Sequence, residues 1–144
     1  MLTIQRLSNA EAFVLIEGAR EASRELNIPM CIAVADESGH LIAFDRMDGG
    51  KISSISIAVD KAFTSAVARK PTHVYNQLCV PGQPTFGIHI TNGGHFSVIG
   101  GGIPVTVNGE IVGGIGISSG TAEEDRVVAQ KALAYFHDKT GFPA

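Results

Sequence analysis

The glycine-rich stretch Gly93–Gly120, GGHFSVIGGGIPVTVNGEIVGGIGISSG, decides the fold of this chain, because it holds 10 of the 17 glycines. Glycine loses more backbone freedom on folding than any other residue, so this many glycines beside Ile and Val indicate backbone that turns tightly or approaches another segment closely. Val105–Val112 centres on Asn108-Gly109, a pair that suits a type I′ turn, and it predicts a β-hairpin. Gly100–Gly102 leaves two readings open: a bulge or close strand crossing, or backbone N–H groups that face an anionic ligand.

The segments on either side of this stretch predict three helices and further strands. Capping boxes, in which Ser or Thr is followed three residues later by Glu, open the first helix at Ser8 and the last helix at Thr121. Apolar residues at helical spacing predict a second helix over 52–69, with one stripe formed by Ile52, Ile55, Val59, Phe63 and Val67. Strands are predicted at 30–36 and 40–45, and near 86–91 and 95–99, with an irregular connection over 70–86.

This order of elements predicts one α+β domain over residues 1–144. Hairpins dominate it, so the sheet is expected to be antiparallel, with helices packed on its faces. Gly114–Gly120 superficially resembles a dinucleotide-binding turn between a strand and a helix. That unit needs a further strand with an acidic residue about 20 positions later, and only one helix and a short tail follow here, so this reading is rejected.

Composition excludes several classes of partner. The net charge of −3 disfavours nucleic acid, which requires a basic surface. No apolar run of about 18 residues predicts a membrane-spanning helix, and the start MLTIQRLSNAEAF carries no secretion signal, so a cytoplasmic location is expected. The two cysteines are far apart and form no CxxC pair, which disfavours a structural zinc site.

Two places in the chain are candidates for ligand binding. His73 lies just past a predicted helix end, in the irregular connection, where its imidazole suits an axial ligand to haem iron; an ordinary loop histidine explains it as well. Arg46 and Lys51 follow the second strand and either clamp an anionic group or belong to a solvated turn.

Other chemistry-bearing residues favour structural explanations. His89 and His95 flank a predicted turn, and a surface or core role is preferred to a metal pair. Cys79 is either a reactive thiol or, more commonly for a loop cysteine, an inert one. The acidic run at 123–125 opens the last helix, where carboxylates suit the helix dipole, so capping is preferred to a metal cluster.

Taken together, several segments in order resemble the GlcG/HbpS family, which includes the haem-binding HbpS and the C-terminal domain of PduO-type proteins. The resemblance covers nearly the whole chain and is carried by Ala33–Asp36 with Gly39, Arg46–Gly49, Lys61–Thr64, Pro81–Gln83, Gly100–Pro104, Val112–Ser118 and Ala122–Asp125. It implies a profilin-like fold, homo-oligomers, and haem or a related ligand in some members. Other members accompany glycolate, glycerol or diol utilisation.

The resemblance favours a non-enzymatic binder of a small ligand, with haem as the first candidate, that serves as an accessory or sensor protein in a catabolic operon. In this interpretation His73 is the axial ligand, Arg46 and Lys51 contact the propionates, and the amides of Gly100, Gly101 and Gly102 line the pocket. The alternative is an enzyme or cofactor-handling protein that acts on a corrinoid or a small hydroxy acid. A third interpretation is a purely structural oligomer.

Overall fold

A computed structural model, which describes all residues 1–144, shows three helices and one four-stranded sheet. The helices are α1 (Asn9–Leu26), α2 (Ser54–Ala68) and α3 (Ala122–Thr140); the strands are β1 (Cys31–Asp36), β2 (Leu41–Arg46), β3 (Gly102–Val107) and β4 (Glu110–Ser118). The strand order is β2-β1-β4-β3, and every neighbouring pair is antiparallel. The predicted α+β architecture, a central antiparallel sheet with helices on its faces, is confirmed.

The local signals at the ends of elements are also confirmed. Asn108 and Gly109 both have positive φ, 53° and 77°, as a type I′ turn between β3 and β4 requires. Both capping boxes form, with the Ser8 side chain paired to Glu11 and the Thr121 side chain paired to Glu124. These signals are readable from sequence because each depends on residues only a few positions apart.

The alternation of Gly and Ile along β4 separates the two faces of the sheet. Ile115 and Ile117 are fully buried in the main core, which α1 and α3 cover. Gly116 lies on the opposite face, where a methyl group in place of its hydrogen would collide with the backbone of Ala58 and Ala62 on α2. The glycines of β4 therefore allow α2 to rest directly on the sheet.

Close contact with the sheet determines which face of α2 is buried. The face towards the sheet consists mainly of small residues: Ser54, Ala58, Ala62, Ser65 and Ala66, together with Lys61. The predicted apolar stripe lies on the outer side instead, where Ile52 is 76% exposed and Ile55, Val59 and Phe63 are only partly buried. A helix seated on glycines has no room for large side chains, so these project away from the sheet.

The strands predicted near 86–91 and 95–99 are wrong. This region contains two short 3₁₀ turns, Ile88–Ile90 and Asn92–Gly94, and no strand. Gly87, Gly93 and Gly94 have φ values of 91°, 67° and 82°, a left-handed backbone far from the negative φ of a regular β-strand. The third strand of the chain begins only at Gly102, so residues 69–101 form one long connection, which contacts α2 through His95 and Ser97.

No helix in the structure combines the length and apolar character needed to cross a bilayer.

Candidate ligand-binding site

The outer face of α2 forms the wall of an apolar cavity of about 570 Å³. Its apolar surface comes from Ile55, Val59 and Phe63, the large side chains that the sheet excludes, and the long connection closes it with Asn92 and His95. Gly39, Ser56 and Asp60 complete the lining. A concave apolar surface with a few polar groups is the usual form of a small-molecule site.

An imidazole held by a carboxylate lies at the edge of this apolar cavity. His95 Nδ1 is 2.8 Å from Asp60 Oδ1, and His95 Nε2 makes no hydrogen bond within the chain. The His95 side chain is 65% exposed, so Nε2 is open to a ligand. A carboxylate on one ring nitrogen fixes the orientation of a histidine and leaves the other nitrogen available, which is the arrangement found around metal-ligating histidines.

The backbone that carries His95 is attached to α2 by a single hydroxyl. Thr64 Oγ1 lies 2.7 Å from the Asp60 carbonyl oxygen and 3.2 Å from that of His95, and it accepts a hydrogen bond from the Ser97 N–H at 2.8 Å. Thr64 is fully buried. The imidazole and its carboxylate are therefore positioned by the same turn of α2, although they are 35 residues apart in sequence.

His73 and Gly100 lie together in a second cavity of about 350 Å³. The lining is mostly polar: Asn76, Gln77, Ala122, Glu123 and Arg126 join those two residues. His73 Nδ1 is buried without a hydrogen-bond partner. Burial, and secondarily the charge of Arg126, lowers the pKa of His73, while Glu123 opposes this, so the imidazole is neutral at physiological pH.

The other predicted site residues are dispersed. Arg46 borders a third cavity of about 280 Å³ with Arg20, Arg24, Met47 and Asp48. Lys51 is exposed, and its backbone N–H donates to Ser119 Oγ at 2.7 Å. The structure therefore does not bring Arg46 or Lys51 into one cavity with His73.

Gly101 and Gly102 are buried and do not line the His73 cavity. The Gly102 N–H donates to Thr72 Oγ1 at 2.9 Å, so the proposed amide contact to a ligand is already taken within the protein. The Gly101 carbonyl accepts a hydrogen bond from the Ile117 N–H at 2.9 Å. At Gly101 and Gly102 the structure therefore shows close approach to neighbouring backbone, which is the first of the two interpretations of Gly100–Gly102.

A buried ion pair beside these glycines was not predicted. Lys61 Nζ donates to Asp125 Oδ2 and to the Ile117 carbonyl, both at 2.9 Å, and Asp125 Oδ1 accepts from the Gly120 N–H at 2.9 Å. Burial lowers the pKa of Lys61 and raises the pKa of Asp125, and each charge partly offsets the effect on its partner. The pair is enclosed, so its role is to join α2 to the start of α3. Within the acidic run, Glu124 forms the capping box and Asp125 is the partner of Lys61 in the buried ion pair.

His89 and His95 have separate partners and do not form a pair. His89 Nδ1 contacts Cys79 Sγ, while His95 binds Asp60. Sequence reasoning treated His95 as a surface or core residue, because the carboxylate that orients it belongs to another element. Only the folding of the long connection over α2 brings them together.

Comparison with known proteins identifies the family. The family model described as "Haem degrading protein HbpS-like" matches residues 7–134, so the chain belongs to this family. An uncharacterized 15.0 kDa protein of the dhaT-dhaS intergenic region of Citrobacter freundii is 33% identical over 94% of this chain and 95% of its own length. Protein GlcG of Escherichia coli is 34% identical over 78% of this chain and 81% of its own length. The predicted relationship to GlcG and HbpS is confirmed.

A longer relative is covered only in part. The corrinoid adenosyltransferase PduO of Salmonella typhimurium is 30% identical over 89% of this chain, but over only 38% of its own length. Most of that enzyme therefore lies outside the match.

Two solved structures share this fold at similar sequence identity. Protein ORFY of Klebsiella pneumoniae superimposes with a TM-score of 0.92, is 31% identical and covers 94% of each chain. A structure described as a PduOC:heme complex superimposes with a TM-score of 0.86, is 29% identical and covers 90% of this chain and 94% of its own.

Proposed function

We propose that this protein binds haem in the apolar cavity on α2, with His95 as an axial ligand. The observation that carries the proposal is a carboxylate-oriented imidazole, His95 on Asp60 at 2.8 Å, at the edge of an apolar cavity of about 570 Å³. A porphyrin is a planar, largely apolar molecule whose iron takes histidine nitrogen as an axial ligand. Bound haem would supply a redox-active iron.

The residues of this cavity fit haem better than those around His73. Ile55, Val59 and Phe63 offer apolar contact to a macrocycle, whereas the His73 cavity has only Ala122 as an apolar lining residue and is smaller, at about 350 Å³. His73 remains the competing axial ligand, because its imidazole is neutral and its buried Nδ1 has no partner. The family description and the haem complex of a relative support haem as the ligand class.

The wider role proposed is that of an accessory or sensor protein in a catabolic operon. The relative from the dhaT-dhaS intergenic region and the resemblance to PduO support a setting of glycerol or diol metabolism. We expect a homo-oligomer, as the family resemblance implies, in which neighbouring copies contribute to the binding site. Sedimentation equilibrium measures the oligomeric state directly, and a monomer at every protein concentration would contradict the expected homo-oligomer.

A haem titration of four proteins tests the site. In the wild type we expect a saturable Soret shift; His95→Ala should abolish it or weaken binding by more than tenfold, and Asp60→Asn should weaken it by about tenfold through loss of the orienting carboxylate. His73→Ala serves as the matched control and should titrate like the wild type. If His73→Ala loses the shift and His95→Ala keeps it, the site is the polar cavity; if the wild type shows no shift, the haem proposal fails.

A second candidate, breakdown of haem, is favoured by the words of the family description. Incubation of the haem complex with ascorbate in air distinguishes the two functions. A binder keeps its Soret band, whereas a degrading enzyme loses it faster than free haem does under the same conditions. Isothermal titration calorimetry with a cobalamin and with small hydroxy acids tests the alternative of an enzyme or cofactor-handling protein.

A further inference from the structure

A thiol and an imidazole meet in the long connection, and neither of them lines the two histidine cavities described above. Cys79 Sγ lies 3.1 Å from His89 Nδ1, within hydrogen-bond reach for sulfur. Cys79 is partly buried and His89 is exposed, so a small molecule in solvent can approach the pair. Neither side chain makes another side-chain hydrogen bond, so no other group competes for the contact between the thiol and the imidazole.

Both partners are held in place by the backbone around them. The Cys79 N–H donates to the Tyr75 carbonyl at 2.9 Å, and the buried Tyr75 ring packs edge-on against Phe96 with centroids 4.9 Å apart. His89 belongs to the 3₁₀ turn Ile88–Ile90. Thr85 Oγ1 donates to the Leu78 carbonyl at 2.9 Å and so ties the segment before His89 to the residue that precedes Cys79.

We propose that Cys79 and His89 form a reactive thiol site that accepts a low-molecular-weight disulfide. His89 takes the proton from the Cys79 thiol through Nδ1, and the resulting imidazolium stabilises the thiolate, which is the nucleophilic form of cysteine. The thiolate attacks one sulfur of the disulfide; a new S–S bond to Cys79 forms as the original S–S bond breaks. Cys79 is oxidised, the leaving half of the disulfide is reduced, and it departs as a thiolate that takes up the imidazolium proton.

The second cysteine provides an internal reference. Cys31 is fully buried beneath α2, and burial raises the pKa of its thiol. Both features oppose reaction, so a disulfide reagent should modify Cys79 alone in the folded protein. Modification of Cys31 would instead report unfolding.

The test is the rate of thiol–disulfide exchange with dithiobis(nitrobenzoate), in haem-free wild type, His89→Gln and Cys79→Ser. At about pH 6.5, well below the ordinary cysteine pKa, we expect wild type to react about tenfold or more faster than His89→Gln and than N-acetylcysteine. At about pH 9.5, where an ordinary thiol is mostly ionised, wild type and His89→Gln should agree within about twofold. Cys79→Ser should show no fast reaction, and mass spectrometry should place the adduct on Cys79.

Two outcomes would overturn the proposal: equal rates for wild type and His89→Gln at the lower pH, or a wild-type rate no greater than that of N-acetylcysteine. The second comparison requires no variant and so holds even if His89→Gln is misfolded. Because haem is absent from these reactions, the result is independent of the haem proposal.

Discussion

Among single side chains, Arg6 makes the clearest long-range contact of the N-terminal segment. Its guanidinium donates to both carboxylate oxygens of Glu37, at 2.8 and 2.5 Å, in the turn between β1 and β2. The hydrogen bonds from Arg6, with a smaller contribution from its charge, lower the pKa of Glu37 from 4.5 to about 2. Glu37 therefore binds a proton less readily in the folded state than in the unfolded state.

This contact predicts a specific dependence of stability on pH. The contribution of Glu37 is present above about pH 4.5 and is lost as the pH falls towards about 2, because protonation ends its attraction to Arg6. Arg6→Ala should lower the melting temperature at pH 6. The difference in melting temperature between the variant and the wild type should become smaller as the pH falls from about 4.5 towards about 2. Thermal unfolding at a series of pH values measures this difference. The control is Lys131→Ala, which removes the exposed ion pair with Glu25. A gap that stays constant down to about pH 2 would contradict the assignment.

Between elements, the decisive contact is the one between α2 and β4. Their interface depends on the absence of a side chain at Gly116, which faces the backbone of Ala58 and Ala62. Residues with the right hydrophobic character for a strand would not fit here. The closeness of the helix also explains why the large side chains of α2 are left on its outer face, where they line the cavity.

Gly116→Ala should be strongly destabilising. The added methyl group collides with backbone that cannot move without shifting α2, and overpacking of this kind costs about 1–3 kcal/mol or more. Gly109→Asn is the matched control, because a Cβ atom added at Gly109 would have no atom of another segment within 4 Å and Asn tolerates its positive φ. Denaturant unfolding should show a loss several times greater for Gly116→Ala. Equal losses for the two variants would mean that α2 does not rest on β4 as described.

Across the complete chain, the Lys61–Asp125 pair connects the two helical layers at one end of the sheet. Lys61 belongs to α2, Asp125 to the first turn of α3, and the Ile117 carbonyl between them belongs to β4. The two side chains are only 1% and 3% exposed. Removal of one partner leaves a buried charge without its counter-ion.

Single substitutions of this pair should therefore cost more than the double substitution. We expect Lys61→Met and Asp125→Leu each to lower the free energy of unfolding by about 3–5 kcal/mol, whereas the double variant with Lys61→Met and Asp125→Leu should recover much of that loss. Denaturant unfolding of the three variants gives the coupling energy between the two sites. Additive losses would show that the two charges do not depend on each other.

Sequence reasoning succeeded where a structure depends on neighbours in the chain. The capping boxes at Ser8 and Thr121, the type I′ turn at Asn108-Gly109 and the hairpin of β1 and β2 all follow from residues a few positions apart. It failed over 86–99, where Ile, Val and Phe suggested strands. There the positive φ values of Gly87, Gly93 and Gly94 and the completion of the sheet by β3 and β4 left no place for them.

The sequence by itself determined the family, the α+β class, the sheet-forming hairpins and the glycine content that lets a helix lie on the sheet. Only the tertiary structure decided which histidine has an oriented imidazole and an apolar cavity, since His95 and Asp60 are 35 residues apart. The same holds for Lys61 and Asp125, which are 64 residues apart. Local sequence patterns reflect the conformational preferences of residues that are neighbours in the chain. A binding site depends instead on the distances between helices, strands and loops, and these are set by tertiary packing.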